Sequence, residues 1–283
     1  MRRAIINLQD IQKRLRETLQ HAGDDTPGNT SLVLLSHILK QPKAWVLAHT
    51  DYQPTESEQQ KLSQIVGEFL AGVPLPYLLG SWEFYGRSFR VTPEVLIPRP
   101  ETEQLVEQAL NYANRMDNPL IFDIGTGSGT IAISLAAEMP LARVVATDIS
   151  WAALTIAREN ASALKQDRVL FVQADLLPPI NRAADIICAN LPYIPTQTLQ
   201  TLKVFHREPS LALDGGEDGL IYIKQLLHQA QTRLAKPGVI LLEIEAGQGE
   251  VVLSAAKKAF PYASVHLHQD FQSKDRLIEI HSA

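Results

Sequence analysis

The 283-residue chain has a single cysteine, Cys188, so no internal disulfide is available and the fold must rest on its core. Cys188 lies in the apolar run ADIICAN and reads as a small core residue rather than a nucleophile. Also missing is any apolar stretch near the roughly 20 residues that span a bilayer. The start, MRRAIINLQDIQKRLRE, turns charged too soon for a signal peptide. No membrane segment is therefore expected, and the cytoplasm is the expected location. Positive charge is in deficit: 26 Lys and Arg face 31 Asp and Glu, for a net charge of -5. The one notable basic cluster, KRLR near the N-terminus, reads as the wet face of a helix. Direct nucleic-acid binding is accordingly not expected, and a protein or small-molecule partner is more natural. Metal-ligand spacing is lacking too: His266 and His268 share a strand face with no third ligand at a supporting distance, which reads as a solvated edge strand. There are no internal repeats and no low-complexity segments.

What the sequence does contain divides in two. Residues 1–75 carry only helical signals, with Leu8, Ile11, Leu15 and Leu19 at helical spacing and a second apolar stretch from Ser31 to Leu39. A third helix starts at Thr55, where T-E-S-E offers a capping box with Glu58, and runs through Leu62, Ile65, Val66, Phe69 and Leu70. GVPLPYLLG breaks this pattern. EFYGRSFRV then alternates around a glycine-containing turn, which predicts a β-hairpin linker over 76–97. Over 98–283 strands alternate with helices. A helix opens at Pro100 with Glu101 and Glu103 in its first turn, and apolar strands at PLIFDIG, RVVATDI, RVLFVQA, ADIICAN and GVILLEI are separated by amphipathic helices. This order predicts an α/β domain with a mostly parallel sheet covered on both faces. SVHLHQD and DRLIEIHS, joined by FQSK, close it with an antiparallel hairpin.

FDIGTGSGT follows the first of these strands and enters a helix. Gly125, Gly127 and Gly129 permit a sharp turn and close approach of backbone to a ligand at a helix N-terminus. The spacing is G-x-G-x-G rather than that of dinucleotide binders, and Asp123 precedes it, an acid that would repel a pyrophosphate. Asp123, Ile124, Gly125, Thr126 and Gly127 instead suit a ligand carrying positive charge, such as the ammonium or sulfonium of S-adenosyl-L-methionine. Asp148, about 20 residues on at the end of the second strand, is placed to accept hydrogen bonds from ribose hydroxyls. Asp175 and Leu176, after the third strand, are placed to meet an adenine, although an acidic strand end also serves as a helix cap.

ANLPYIP ends the fourth strand, at the sheet edge where doubly wound folds bind ligands. Asn190 offers a side-chain acceptor, the backbone between Asn190 and Pro192 (at Leu191) a second, and Tyr193 a flat face. Two acceptors and a stacking plane make a pocket for a planar NH2 group. Such a nitrogen is a poor nucleophile because its lone pair is delocalised. Accepting hydrogen bonds from both its hydrogens favours the pyramidal geometry in which the lone pair faces a methyl donor.

This stretch resembles the N-P-P-Y motif of methyltransferases acting on amino groups conjugated to planar systems. EFYGRSFRVTPEVLIPRPETEQLVE, DIGTGSG, ANLPYIP, REPSLALDGGEDGL and LLEIEAGQG, in that order after a small helical domain, resemble the release-factor glutamine methyltransferase (HemK-like) family over nearly the whole chain. The resemblance implies a Rossmann-like class I S-adenosylmethionine-dependent methyltransferase fold preceded by an all-helical domain that helps recognise the partner. It implies methylation of the glutamine side-chain amide in the Gly-Gly-Gln tip of class I peptide-chain release factors. It places the cofactor on Asp123 to Gly127, Asp148 and Asn190, and the glutamine on Asn190, Leu191, Pro192 and Tyr193. Leu191 replaces the family's usual proline and keeps its main-chain acceptor. N-L-P-Y is also the spelling in enzymes resembling ribosomal RNA adenine dimethyltransferases, so an RNA or DNA adenine methyltransferase remains open, as does a glutamine methyltransferase of a ribosomal protein. An S-adenosylmethionine-binding adaptor without catalysis is the non-enzyme alternative. Arg99 in IPRPE either lines the methionine end of the cofactor or pairs with Glu101. The stretch around His206 reads as a loop covering the substrate, and Trp45, Trp82 and Trp151 read as packing.

Overall fold

The computed structural model describes residues 7–282. Residues 1–6, where the charged start weighed against a signal peptide begins, and residue 283 lie outside the described residues. Among the described residues no helix is long and apolar enough to cross a membrane. The chain forms two compact units, Met1–Gly80 and Ser81–Ala283.

The first unit is helical: α1 (Leu8–His21), α2 (Pro27–Leu39), α3 (Lys43–Ala48), α4 (Glu56–Leu70) and α5 (Leu75–Leu79). Leu8, Leu15, Leu19, Leu34, Leu35 and Val46 form its buried core. The capping box at Thr55 is present: Glu58 N–H donates to Thr55 Oγ1 at 3.2 Å, and Thr55 N–H donates to Glu58 Oε2 at 2.7 Å. The break expected at GVPLPYLLG is instead the helix α5. Its prolines sit at the N-cap and in the first turn, where a missing N–H breaks no intrahelical bond, and Gly80, in the left-handed region at φ 70°, ends it.

The second unit opens with the hairpin β1 (Ser81–Phe84) and β2 (Arg87–Arg90), turned by Tyr85 and Gly86 with φ of 49° and 67°. Its Phe84 and Phe89 are buried with Leu105, Ile131 and Leu135, so the segment expected as a linker over 76–97 includes part of this unit's core, and the division falls after Gly80. A seven-stranded sheet follows in the order β5 (Leu170–Gln173), β4 (Arg143–Asp148), β3 (Leu120–Ile124), β6 (Ala184–Ala189), β7 (Leu234–Glu243), β9 (Asp275–Ser282), β8 (Ser264–Gln269). The pairings from β5 to β7 are parallel, and β9 runs antiparallel to both β7 and β8. The side chains of α6 (Thr102–Ala113) and α7 (Thr130–Glu138) pack into one face of the sheet. Those of α10 (Ile221–Ala230) and α11 (Gly249–Ala259) pack into the other. Helix α6 starts two residues after Pro100, with Glu101 as its cap and Glu103 in the first turn. Helix α8 (Trp151–Ala163) begins after β4, and the short α9 (Thr196–Leu199) lies beyond β6. Trp151, expected as packing, is 58% exposed, with the Arg158 guanidinium 4.7 Å above its ring.

The register of the sheet creates the site. Ile124 pairs with Thr147 on one side and with Ala189 on the other, so Gly125, Asp148 and Asn190 leave three neighbouring strands at one level. Because β3 connects to β4 on one side and pairs with β6 on the other, this is the crevice where a doubly wound sheet receives its ligand.

Candidate active site

The glycine loop is held from below and from the side. Asp123 is fully buried; its Oδ2 accepts from Thr126 Oγ1 at 2.6 Å and from the Ala132 N–H at 3.1 Å, while Oδ1 has no partner. Burial pushes its carboxyl up to about 7, opposed by those two hydrogen bonds and reinforced by the neighbouring Asp148. Asp148 Oδ2 accepts from the Gly127 N–H at 2.9 Å and Oδ1 from the Ser150 N–H at 2.8 Å. Each oxygen keeps a second lone pair for a ligand. Burial raises the Asp148 carboxyl as well, against the backbone N–H groups it binds. Gly127 has φ 56° and open space where a side chain would begin, so the backbone there is bare to the crevice. From α8, Asn160 joins the loop to the hairpin: its Nδ2 donates to Ser128 O at 2.8 Å and to Arg90 O at 3.0 Å, and its Oδ1 accepts from the Arg90 N–H at 2.7 Å.

Asn190 is anchored by its nitrogen. Nδ2 donates to Thr102 Oγ1 at 3.0 Å, and both side chains lie near enough to the buried Glu243 carboxylate at the end of β7 to oppose the rise that burial gives its pKa. Tyr193 is anchored by its backbone, where Gln248 Nε2 donates to its carbonyl at 2.8 Å. The following residues are fastened to the glycine-rich DGGEDG stretch: Ile194 N–H donates to Leu213 O at 3.0 Å, Gly215 N–H to Ile194 O at 2.8 Å, and Thr196 N–H to Gly216 O at 2.9 Å.

Two cavities meet at this point. The larger, about 310 Å³, is lined by Gly125, Gly127, Asp148, Asp175, Leu176, Asn190, Leu191 and Pro192, with Tyr222 and residues of the 92–99 stretch among its other walls. The smaller, about 150 Å³, is lined by Arg99, Tyr193, Ile194, Val204 and Leu213, and shares Leu96, Asn190, Leu191 and Ala212 with the first. The residues expected at the site are thus brought together, except that Asp123, Ile124 and Thr126 are buried behind the loop and line neither cavity. The stretch after Tyr193 reaches both cavities through Val204, Pro209, Leu211 and Ala212, while His206 meets the Phe205 ring edge to face.

Arg99 faces the smaller cavity and pairs with Glu208, not Glu101; Glu208 Oε2 also accepts from the Ile97 N–H at 3.1 Å. The partner lies 109 residues away, which local sequence could not indicate. Replacing Glu208 by alanine would leave the buried Ile97 N–H and a half-exposed guanidinium unsatisfied. A loss of about 1–3 kcal/mol in urea unfolding is expected, and an unchanged midpoint would show that water replaces the carboxylate. His268 lies on the edge strand β8 as expected, yet its Nε2 is not free: it meets Glu279 Oε2 at 2.9 Å. Reasoning from sequence missed Thr102, Glu243, Gln248 and Glu208. Each lies inside a stretch that carried the family resemblance, and that was the only available signal for them.

The parallel sheet with its antiparallel β9, the glycine loop at the switch point and the acid on the neighbouring strand define a class I methyltransferase fold. Residues 10–80 match the family described as the PrmC N-terminal domain, and residues 102–216 match the methyltransferase small domain. The hMettl16 catalytic domain, solved in complex with a MAT2A 3′UTR hairpin, superposes with a TM-score of 0.54 at 16% identity, covering 80% of this chain and 82% of that one. The release factor glutamine methyltransferase of Moorella thermoacetica is 41% identical over 261 residues, covering 91% of this chain and 92% of that protein. That of Bacillus cereus is 38% identical over 268 residues, covering 92% and 94%. The chain belongs to the release factor glutamine methyltransferase family.

Proposed function

We propose that this enzyme transfers the methyl group of S-adenosyl-L-methionine to the side-chain amide nitrogen of the glutamine in the Gly-Gly-Gln motif of class I peptide-chain release factors. One observation carries the reading. The Asn190 nitrogen donates to Thr102 beside the buried Glu243, which leaves its Oδ1 as a hydrogen-bond acceptor where the two cavities meet.

The larger cavity suits the cofactor. The bare backbone at Gly127, the spare lone pairs of Asp148, and Asp175 and Leu176 among its walls match an adenosyl ligand without phosphates. When bound, that ligand supplies an electrophilic methyl group on a sulfonium. In the smaller cavity the Asn190 side chain and the Leu191 main chain accept from the two amide hydrogens, and Tyr193 supplies a flat wall. Arg99 and Tyr193 are the ionisable residues lining that cavity among the described residues, and neither is a base: burial pushes the Tyr193 phenol well above its ordinary range. The residues therefore act by orientation and electrostatic complementarity rather than by removing a proton. The helical unit is assigned to recognition of the protein partner, and the net charge of -5 favours a protein over RNA or DNA.

Tritiated methyl transfer to a purified class I release factor and to ribosomal RNA, run side by side, tests the proposal. Label is expected in the release factor, with one added methyl on the glutamine of its Gly-Gly-Gln peptide by mass spectrometry. Label in the RNA alone would replace the amide with an adenine amino group as substrate.

A further inference from the structure

We propose that Glu243 is a positioning residue, fixing which end of the Asn190 carboxamide faces the smaller cavity, both directly and through Thr102. The inference rests on the reading of Asn190 as the acceptor for a substrate NH2 group.

The two ends of a carboxamide are nearly the same size, and turning Asn190 over would present N–H donors to a substrate that itself brings donors. Something must select the acceptor end. The sheet register supplies it: Ala189 pairs with Leu242, so the next residues, Asn190 and Glu243, end their strands side by side. An ionised carboxylate only accepts. The Glu243 carboxylate draws the one hydrogen of the neighbouring Thr102 hydroxyl, which then meets Asn190 Nδ2, at 3.0 Å, as an acceptor. Nδ2 is thereby held inside by Thr102 and favoured there by the carboxylate, and Oδ1 is the end left for the cavity that Asn190 lines. The relay runs one way only while Glu243 is ionised. A protonated Glu243 can donate, and the reversed amide is then satisfied as well.

Glu243 is buried, and its Oε2 has no partner. Burial raises its carboxyl to about 7, with the Glu101 carboxylate adding to the rise, while Thr102, Arg276 and Asn190 oppose it. These, with the Tyr193 phenol, are the charged and titratable groups that face it from α6, β9 and the chain after β6. The sign follows: the one-way relay is complete above about pH 7 and fails as Glu243 takes up a proton below it.

The test compares wild type with Glu243→Gln, Thr102→Val and Thr102→Ser, measuring kcat and KM for release-factor methylation, Kd for S-adenosylhomocysteine, and the unfolding midpoint. Glutamine keeps the volume of Glu243 but adds donors, so either orientation of Asn190 becomes satisfiable. Glu243→Gln is expected to lower kcat about 10- to 100-fold with the Kd for S-adenosylhomocysteine within about 2-fold of wild type. Thr102→Val should lose about 10-fold and Thr102→Ser should restore it. Wild-type kcat should fall below about pH 7, and Glu243→Gln should lack that limb. A Glu243→Gln kcat within about 2-fold of wild type, or equal losses in Thr102→Val and Thr102→Ser, would overturn the proposal. So would losses that track cofactor affinity and unfolding midpoint, since a purely structural role predicts them. If Glu243→Gln does not fold, the Thr102 pair decides. Failure of wild type itself to methylate the release factor would overturn the substrate reading and this inference together, whereas normal wild-type transfer untouched by the variants would overturn this inference alone.

Discussion

Asn190→Ala is expected to lower kcat for methyl transfer to a release factor by about 10²- to 10³-fold, the scale set by removing one preorganised hydrogen-bonding group from a reacting centre. Asn190 lines both cavities, and in the proposed reaction its oxygen accepts from the nitrogen that attacks. Alanine deletes that acceptor without filling the space. It also leaves Thr102 Oγ1 without the amide that donates to it, beside the buried Glu243 carboxylate. Cofactor affinity should change far less, because the loop at Gly125 to Gly127 is fastened to Asp148 and Thr147 rather than to Asn190. Single-turnover methyl transfer and calorimetric titration with S-adenosylhomocysteine separate the two effects. Unchanged turnover would remove Asn190 from catalysis. Asn190→Asp should not rescue, since a second carboxylate beside the buried Glu243 would have to take up a proton, becoming a donor where an acceptor is needed.

Much of this was legible in the chain because strand ends carry their own marks. The apolar runs through FDIG, VVATD and IICAN stop at Gly125, Asp148 and Asn190, and parallel pairing puts those ends at one level. Long-range partners were not legible. Glu243 ends a strand 53 residues after Asn190 (243 less 190), and nothing local distinguishes it from Glu245 two residues on. Only the β6–β7 register selects Glu243, together with a buried position that Glu245 does not share. Asp123 was expected beside the ligand's positive charge, yet its side chain points to the α7 face, where Thr126 and Ala132 take it. Alternation along the strand could have warned of this, because Ile121 and Asp123 share a face and Ile121 is core. GVPLPYLLG, with its two prolines, was read as a break because proline disrupts helix interiors, but a five-residue helix is nearly all first turn.

Gly219→Ala should cost about 2–4 kcal/mol of stability and lower methyl transfer with it, combining left-handed backbone strain with a collision. Gly219 has φ 74°, and a Cβ there would lie 2.3 Å from the Tyr193 carbonyl oxygen, 2.9 Å from Gln248 Nε2 and 3.1 Å from Pro195 Cδ. The carbonyl cannot swing aside freely, because it accepts the Gln248 hydrogen bond at 2.8 Å and is followed by the bonds of Ile194 to Leu213 and Gly215. Relief therefore has to come from moving Tyr193 itself, the flat wall of the smaller cavity. Gly86→Ala is the control. Gly86 has a similar φ of 67° but open space around its Cβ position, so alanine there should cost only the conformational strain, about 1 kcal/mol, and leave kcat intact. Urea unfolding gives the two stabilities and a methylation assay the two activities. If Gly219→Ala loses no more than Gly86→Ala in both, the DGGEDG stretch does not brace Tyr193. If it loses stability and turnover together while S-adenosylhomocysteine still binds, the glycine serves the amide pocket through the backbone it allows to pass.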